Sequence, residues 1–186
     1  MLKSFSALAG GGGSTGKQTI WVPASAMLAR ITNGPSAGLL ETTTNKVNVS
    51  TLDFDPTTQE FAQFAVAMPK SWDEGTVTFE AIWYHPSTTV NFGVVWSIAG
   101  LALSDGNALD TAFGTAVQVT DTGGTTNAVY DSPESSAVTI GNTPAENDYV
   151  VFQVARNPAE AGDTLAVDAR LLGVKLFYTT NAGNDA

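Results

Sequence analysis

The 186-residue chain has no cysteine. That excludes a disulfide framework, thiol nucleophiles and cysteine-ligated metal. Histidine occurs once, at position 85, too few to build a zinc site without cysteines or a carboxylate cluster. Cations are scarce as well. Eight Lys and Arg stand against eighteen Asp and Glu, for a net charge of −10. Nucleic-acid binding relies on Lys and Arg displacing counterions from phosphates, so this balance argues against nucleic acid as a partner. An anionic membrane surface is disfavoured for the same reason. Charged residues of both signs make up 14% of the chain, against roughly 25% in an average soluble protein. No apolar run approaches the ~20 residues of a membrane span, so no membrane partner is expected. The stretch after Lys3 is interrupted by Ser4 and Ser6 and runs into glycine, which leaves no signal-peptide core.

What the chain has instead is glycine in one place and β-patterning in the rest. Gly10-Gly11-Gly12-Gly13-Ser14-Thr15-Gly16 packs nothing and carries a large ordering entropy, which suits a flexible tether. It divides the chain into an N-terminal leader and tether, residues 1–16, and a β domain, residues 17–186. Ahead of the glycines, Leu2, Phe5 and Leu8 with Lys3 form a short apolar peptide suited to anchoring the rest on a larger assembly. Gly11 to Lys17 also matches most of a P-loop, but Gln18 stands where Ser or Thr should hold magnesium. A P-loop opens a helix, whereas Gln18-Thr19-Ile20-Trp21-Val22 reads as a strand. The tether reading is preferred.

Beyond the tether, apolar residues recur in twos. Phe64, Val66 and Met68 share one face, as do Val77, Phe79, Ala81 and Trp83, and then Val94, Trp96 and Ile98. Further strand-like runs are 117–119, 137–140 and 149–154. The last, 165–180, changes phase near Gly173, which predicts a bulge or bend there. Turn signals separate the runs: Asn33-Gly34-Pro35, Asp55-Pro56, Asp73-Glu74-Gly75, His85-Pro86, Gly123-Gly124 and Asn157-Pro158. The one helix-like piece is 106–114, capped by Asp105 or Asn107 and stopped by Gly114. Together these features predict an all-β fold, a single antiparallel β-sandwich of jelly-roll type.

Few residues offer chemistry. His85 precedes a proline and reads as a surface-loop histidine; no Gly-x-Ser-x-Gly elbow accompanies it. Glycoside hydrolysis would need two facing carboxylates. Glu60, Glu80, Glu134, Glu146, Asp148 and Asp168 are available, but they read as outward-facing or ion-paired, with Asp168 placed to meet Arg170. The 105–110 segment has some features of a calcium loop but lacks its glycine and its closing glutamate, so helix capping explains Asp105 and Asn107 more simply. No catalytic residue, metal site or cofactor is expected. Of the four tryptophans, Trp83 and Trp96 lie in strongly apolar strands and read as core. Trp72 lies in a turn, where it can close one end of the sandwich, sit at a subunit interface or meet a ligand.

Five stretches carry a family resemblance: Val22-Pro23-Ala24-Ser25-Ala26-Met27 with Thr32-Asn33-Gly34; Phe61-Ala62-Gln63-Phe64 leading to Met68-Pro69-Lys70-Ser71-Trp72-Asp73-Glu74-Gly75; Ala112-Phe113-Gly114-Thr115-Ala116; Glu134-Ser135-Ser136-Ala137-Val138-Thr139-Ile140; and Asp163-Thr164-Leu165-Ala166-Val167-Asp168-Ala169-Arg170-Leu171. Through them the chain from Trp21 onward resembles a group of small tailed-phage virion proteins. The resemblance implies a non-enzymatic structural protein of the virion, assembled in the host cytoplasm. It implies a self-associating sandwich, as a homotrimer, in a capsid-decoration or head-fibre role, with the major capsid protein as the expected partner of the leader. The alternative is a tail-fibre or appendage adhesin that binds host surface glycan, for which Trp72, Tyr84, His85 and Tyr130 are the candidate contacts.

Overall fold

The alternation of apolar and polar residues folds the chain into strands, several of which turn one face to the core, as β6 and β10 do. The computed structural model describes residues 15–87 and 91–185. The anchoring residues Leu2, Lys3, Phe5 and Leu8 and the four consecutive glycines lie outside the described residues. In chain order the strands are β1 (Lys17–Pro23), β2 (Leu28–Ala29), β3 (Ser36–Glu41), β4 (Asn48–Phe54), β5 (Glu60–Ala67), β6 (Thr78–Tyr84), β7 (Phe92–Leu103), β8 (Val117–Gly123), β9 (Tyr130–Asp131), β10 (Tyr149–Arg156) and β11 (Ala169–Thr179).

They form two antiparallel sheets, a jelly-roll-like sandwich. The first has the order β3-β4-β11-β6-β9, with β1 also paired to β11; the second has the order β2-β5-β10-β7-β8. Strand β1 lies against β11 from Lys17↔Thr179 to Pro23↔Gly173. The described chain is tied to β11 one residue earlier, because Gly16 N–H donates to Thr180 Oγ1 at 3.1 Å and Thr180 N–H donates to the Gly16 carbonyl at 2.9 Å.

The inner faces are the ones the period-2 pattern marks. Phe79, Ala81 and Trp83 of β6, Trp96 and Ile98 of β7, Phe152 and Val154 of β10, and Leu171, Val174 and Leu176 of β11 are buried in one core. Each large side chain moved out of water contributes about 1.5–3 kcal/mol, which offsets chain entropy without any covalent staple. Aromatic rings meet across the sheets: Phe54 packs edge-on to Trp96 at 5.3 Å, and Phe64 stacks with Phe152 at 5.4 Å. The register shift at Leu171/Gly173 is the bulge that the change of phase predicts.

Four local expectations are corrected. The segment 106–114 is not a helix. Asn107 closes a tight turn instead, its N–H donating to the Ser104 carbonyl and its Oδ1 accepting from Ser104 N–H, both at 3.0 Å. Gly106 takes φ +82°, and Gly114 N–H bonds the Gly100 carbonyl at 2.9 Å, which lays the segment along β7. Residues 165–168 precede β11 rather than belonging to it. The 137–140 run makes only an isolated bridge, Val77↔Val138. His85 is fully buried, not a surface residue.

Strand β3 has a weak sequence signal for a physical reason. β3 is an edge strand with no fully buried residue, so its composition, Ser36-Ala37-Gly38-Leu39-Leu40-Glu41, carries little alternation.

Candidate functional site

The four aromatic residues expected to contact a ligand are used inside the fold. Trp72, Tyr84 and His85 are buried. Trp72 lies in the turn after β5, where its N–H bonds the Pro69 carbonyl at 3.0 Å and its backbone bridges Thr180, so it closes one end of the sandwich. The Tyr84 hydroxyl accepts from Arg170 Nη1 at 3.1 Å. His85 sits edge-on to Phe92 at 4.4 Å and stacks with Tyr130 at 5.7 Å. Burial pushes its pKa down, which favours the neutral imidazole. Tyr130 is half-buried, and its hydroxyl donates to the Thr125 carbonyl at 3.0 Å while accepting from Gly124 N–H at 2.9 Å. His85 and Tyr130 pack against each other, and the three buried residues, Trp72, Tyr84 and His85, offer no open face to a ligand.

The candidate carboxylates are scattered. Glu80 pairs with Lys175 at 2.8 Å, and Glu134 pairs with Lys17. Asp148 accepts from Ser104 Oγ at 3.1 Å and from Ala145 N–H at 2.9 Å. Glu60 accepts from Asp55 N–H at 2.8 Å, and Glu146 N–H donates to Glu74. Arg170 makes its ion pair with Asp53 at 3.3 Å rather than with Asp168. Burial, then repulsion from Asp53 and Asp55, raises the pKa of Asp168. Among the described residues no group of three or more His, Asp or Glu is arranged to hold a metal ion, and no helix is long and apolar enough to cross a membrane.

An open groove lies elsewhere, on the outer face of the second sheet. The register sets the outward rows from which Gln63, Ala65, Leu101, Leu103, Tyr149 and Val151 line it. Gln63 of β5 faces Gln153 of β10, which faces Ala99 of β7; the next outward row is Ala65, Val151 and Leu101; the last is Ala67, Tyr149 and Leu103. Gln63 Nε2 donates to Gln153 Oε1 at 3.1 Å, which holds the Gln63 amide where it lines the groove. The cavity above measures about 560 Å³, within the usual range for small-ligand sites. Leu28 of β2 lines one part, and Leu109, Asp110, Thr111 and Phe113 of the non-helical 104–116 segment line another. Three of the lining side chains are unusually exposed for their type: Tyr149 at 54%, Leu28 at 77% and Leu109 at 83%. Asp110 is the one carboxylate among the lining residues, so the groove lacks the facing pair that glycoside hydrolysis needs.

No protein-family model matches the chain, and no curated protein matches it. Solved structures resemble its fold at low identity. A domain of a multidomain xylanase from the hindgut metagenome of Trinervitermes trinervoides is 11% identical over 86% of this chain and 96% of that one, with a TM-score of 0.44. A family 11 carbohydrate-binding module from Clostridium thermocellum, solved with a mixed-linked tetrasaccharide, is 9% identical over 88% and 96%, also at 0.44. A cycloisomaltooligosaccharide glucanotransferase from Paenibacillus sp. is 11% identical, covering 87% of this chain and 18% of that one, at 0.42.

The groove residues were partly legible in the sequence. Tyr149 alternates with the core residues Val150 and Phe152, so period 2 places it outward. Gln63 and Gln153 alternate in the same way with Phe64 and Phe152. Their meeting across β5 and β10 follows from strand order, which a single sequence does not disclose.

Proposed function

We propose that this chain is a non-catalytic binding module that takes host surface glycan in the groove of the second sheet. The observation that carries this reading is the groove itself. It is open along one side and joins the Gln63 amide, an exposed phenol ring and the polar groups of Asp110 and Thr111 to apolar walls. An amide donates to and accepts from sugar hydroxyls, a carboxylate accepts from them, and an aromatic ring covers the apolar face of a pyranose. Because Tyr149 is exposed, Tyr149→Ala should leave the fold intact and weaken glycan binding about tenfold, the loss expected for one well-placed contact. Gln63→Ala should weaken it as well. A glycan array probed with the wild type and both variants checks this. Binding by the wild type to no glycan on the array, or equal binding by all three proteins, would reject the groove.

The module's setting is a phage particle in this reading, as head decoration, head fibre or tail appendage, with self-association as a trimer and the major capsid protein as the leader's partner. The resemblance of residues 21–186 to phage virion proteins supports that setting, and so does the weakly charged composition. A cryo-EM reconstruction of the source particle should show the sandwich at symmetric head positions or on the tail. Its absence from the particle would overturn the setting.

A further inference from the structure

A second aromatic surface lies on the opposite side of the molecule. Trp21 is on β1 between Ile20 and Val22, which face the core, and is 50% exposed, whereas Trp72, Trp83 and Trp96 are fully buried. Its ring is seated rather than loose. A Cβ at Gly173 would come within 2.4 Å of the Trp21 ring, so the ring lies in the space that the missing side chain leaves on β11. Gly173 is also the bulge position, between Pro23 on β1 and Ile82 on β6. The ring is therefore held from beneath and half open to solvent above.

Polar groups flank it on the same outward face. Trp21 pairs with Lys175, which pairs with Glu80. Lys175 Nζ bonds Glu80 Oε2 at 2.8 Å and also Asp131. Both carboxylates draw the ammonium toward β6, away from the strand that carries Trp21. In the adjacent row Thr19 pairs with Phe177, over whose ring Lys17 Nζ sits at 4.5 Å. A fixed indole with an ammonium on the adjacent strand and two partly exposed carboxylates on the strands beyond it can cover the C–H face of a sugar while the chain of polar groups accepts from and donates to hydroxyls further along. The local charge of −1, from Lys175, Glu80 and Asp131, sits on a chain of net charge −10, which disfavours an acidic polymer.

We infer that Trp21 is the platform of a second saccharide site, specific for neutral pyranose units, which makes the module bivalent. The ligand class rests on the glycan reading proposed above; the residues are independent of the groove. Two sites on opposite sheets let one chain hold two segments of a polysaccharide or link two strands, and they raise avidity on a dense surface.

The test uses the full chain, Trp21→Ala, Trp21→Phe and Tyr149→Ala on an array of neutral and acidic polysaccharides, with acrylamide quenching of tryptophan fluorescence in the presence of each neutral polysaccharide. Thermal melts verify that each variant is folded, and Trp21→Phe keeps a ring should Trp21→Ala be unstable. Trp21 is the exposed tryptophan, so quenching reads its cover directly. The expected result is protection of Trp21 by a neutral polysaccharide, about tenfold weaker binding in Trp21→Ala and recovery in Trp21→Phe. Protection should persist in Tyr149→Ala. Binding lost only in Tyr149→Ala, with Trp21 still quenched, overturns the platform and leaves the groove. Binding lost only in Trp21→Ala supports the platform and rejects the groove. No binding by the wild type rejects both. Quenching that falls with protein concentration but not with glycan assigns the ring to contact between copies and overturns the proposal.

Discussion

Arg156→Met should destabilise the fold by about 3–5 kcal/mol, the usual cost of leaving a buried ion pair with one partner. Arg156 is the last residue of β10 and its side chain is wholly buried. Its Nη2 bonds Asp163 Oδ1 at 2.7 Å and its Nε bonds Asp163 Oδ2 at 3.0 Å, a two-pronged pair. Its Nη1 also donates to the carbonyls of Phe54 at 3.1 Å and Val167 at 2.8 Å, and Nη2 donates to that of Leu165. One guanidinium thus ties the end of β4 and the loop between β10 and β11 to the second sheet. Methionine fills similar volume but strands the Asp163 carboxylate and three carbonyls. Asp163→Asn should cost less, because an amide still accepts, through one oxygen, from the guanidinium or from Val95 N–H, which now bonds the carboxylate at 3.1 Å. Urea denaturation of the three proteins checks the order: wild type, Asp163→Asn, then Arg156→Met, with the slope unchanged. Equal midpoints would show that the pair contributes nothing.

The second large effect is expected at Gly93, on β7 beneath the same loop. A Cβ there would lie 2.1 Å from the Gly162 carbonyl oxygen, a backbone atom that cannot swing aside. The contact is close because the loop is bonded to this residue. Thr164 N–H and Leu165 N–H donate to the Gly93 carbonyl at 2.9 and 3.2 Å, and Gly93 N–H donates to Thr164 Oγ1 at 2.9 Å. Overpacking a fixed contact costs about 1–3 kcal/mol, and lost hydrogen bonds add roughly 1 kcal/mol each, so Gly93→Ala should cost about 3 kcal/mol or more. Gly124→Ala is the control, since a Cβ there meets nothing within 4 Å. Both Gly93→Ala and Arg156→Met release one loop, so the double variant should lose less than the sum of the two. Full additivity, measured by the same urea midpoints, would show that the loop is held at two independent places.

The two effects differ in how far they can be read from the sequence. Val154-Ala155-Arg156-Asn157-Pro158 reads as a strand end followed by a turn, where a cation ordinarily stays in solvent. Its burial depends on the following loop folding back to offer the Asp163 carboxylate and the Leu165 and Val167 carbonyls, and on the distant Phe54 carbonyl, which no local pattern discloses. His85 misled in the same way. Its proline and turn context are those of a surface loop, but Phe92 and Tyr130 close over it. The 106–114 segment had a plausible cap and stop, yet Gly100 supplied a better backbone partner than a short isolated helix could.

By itself the sequence determined the all-β class, the inward faces of β6, β7 and β11 and the bulge at Gly173, because side-chain direction in a strand has period 2 and needs only neighbours. It also placed Trp21 and Tyr149 in strand-like runs, without assigning either to a face. Strand order is a property of the tertiary structure. Only that order decided that Gln63 meets Gln153, that the 104–116 segment walls a groove, and that Gly173 lies under the Trp21 ring. Both candidate surfaces join residues more than 80 positions apart, and a local pattern carries no information about pairing over that distance.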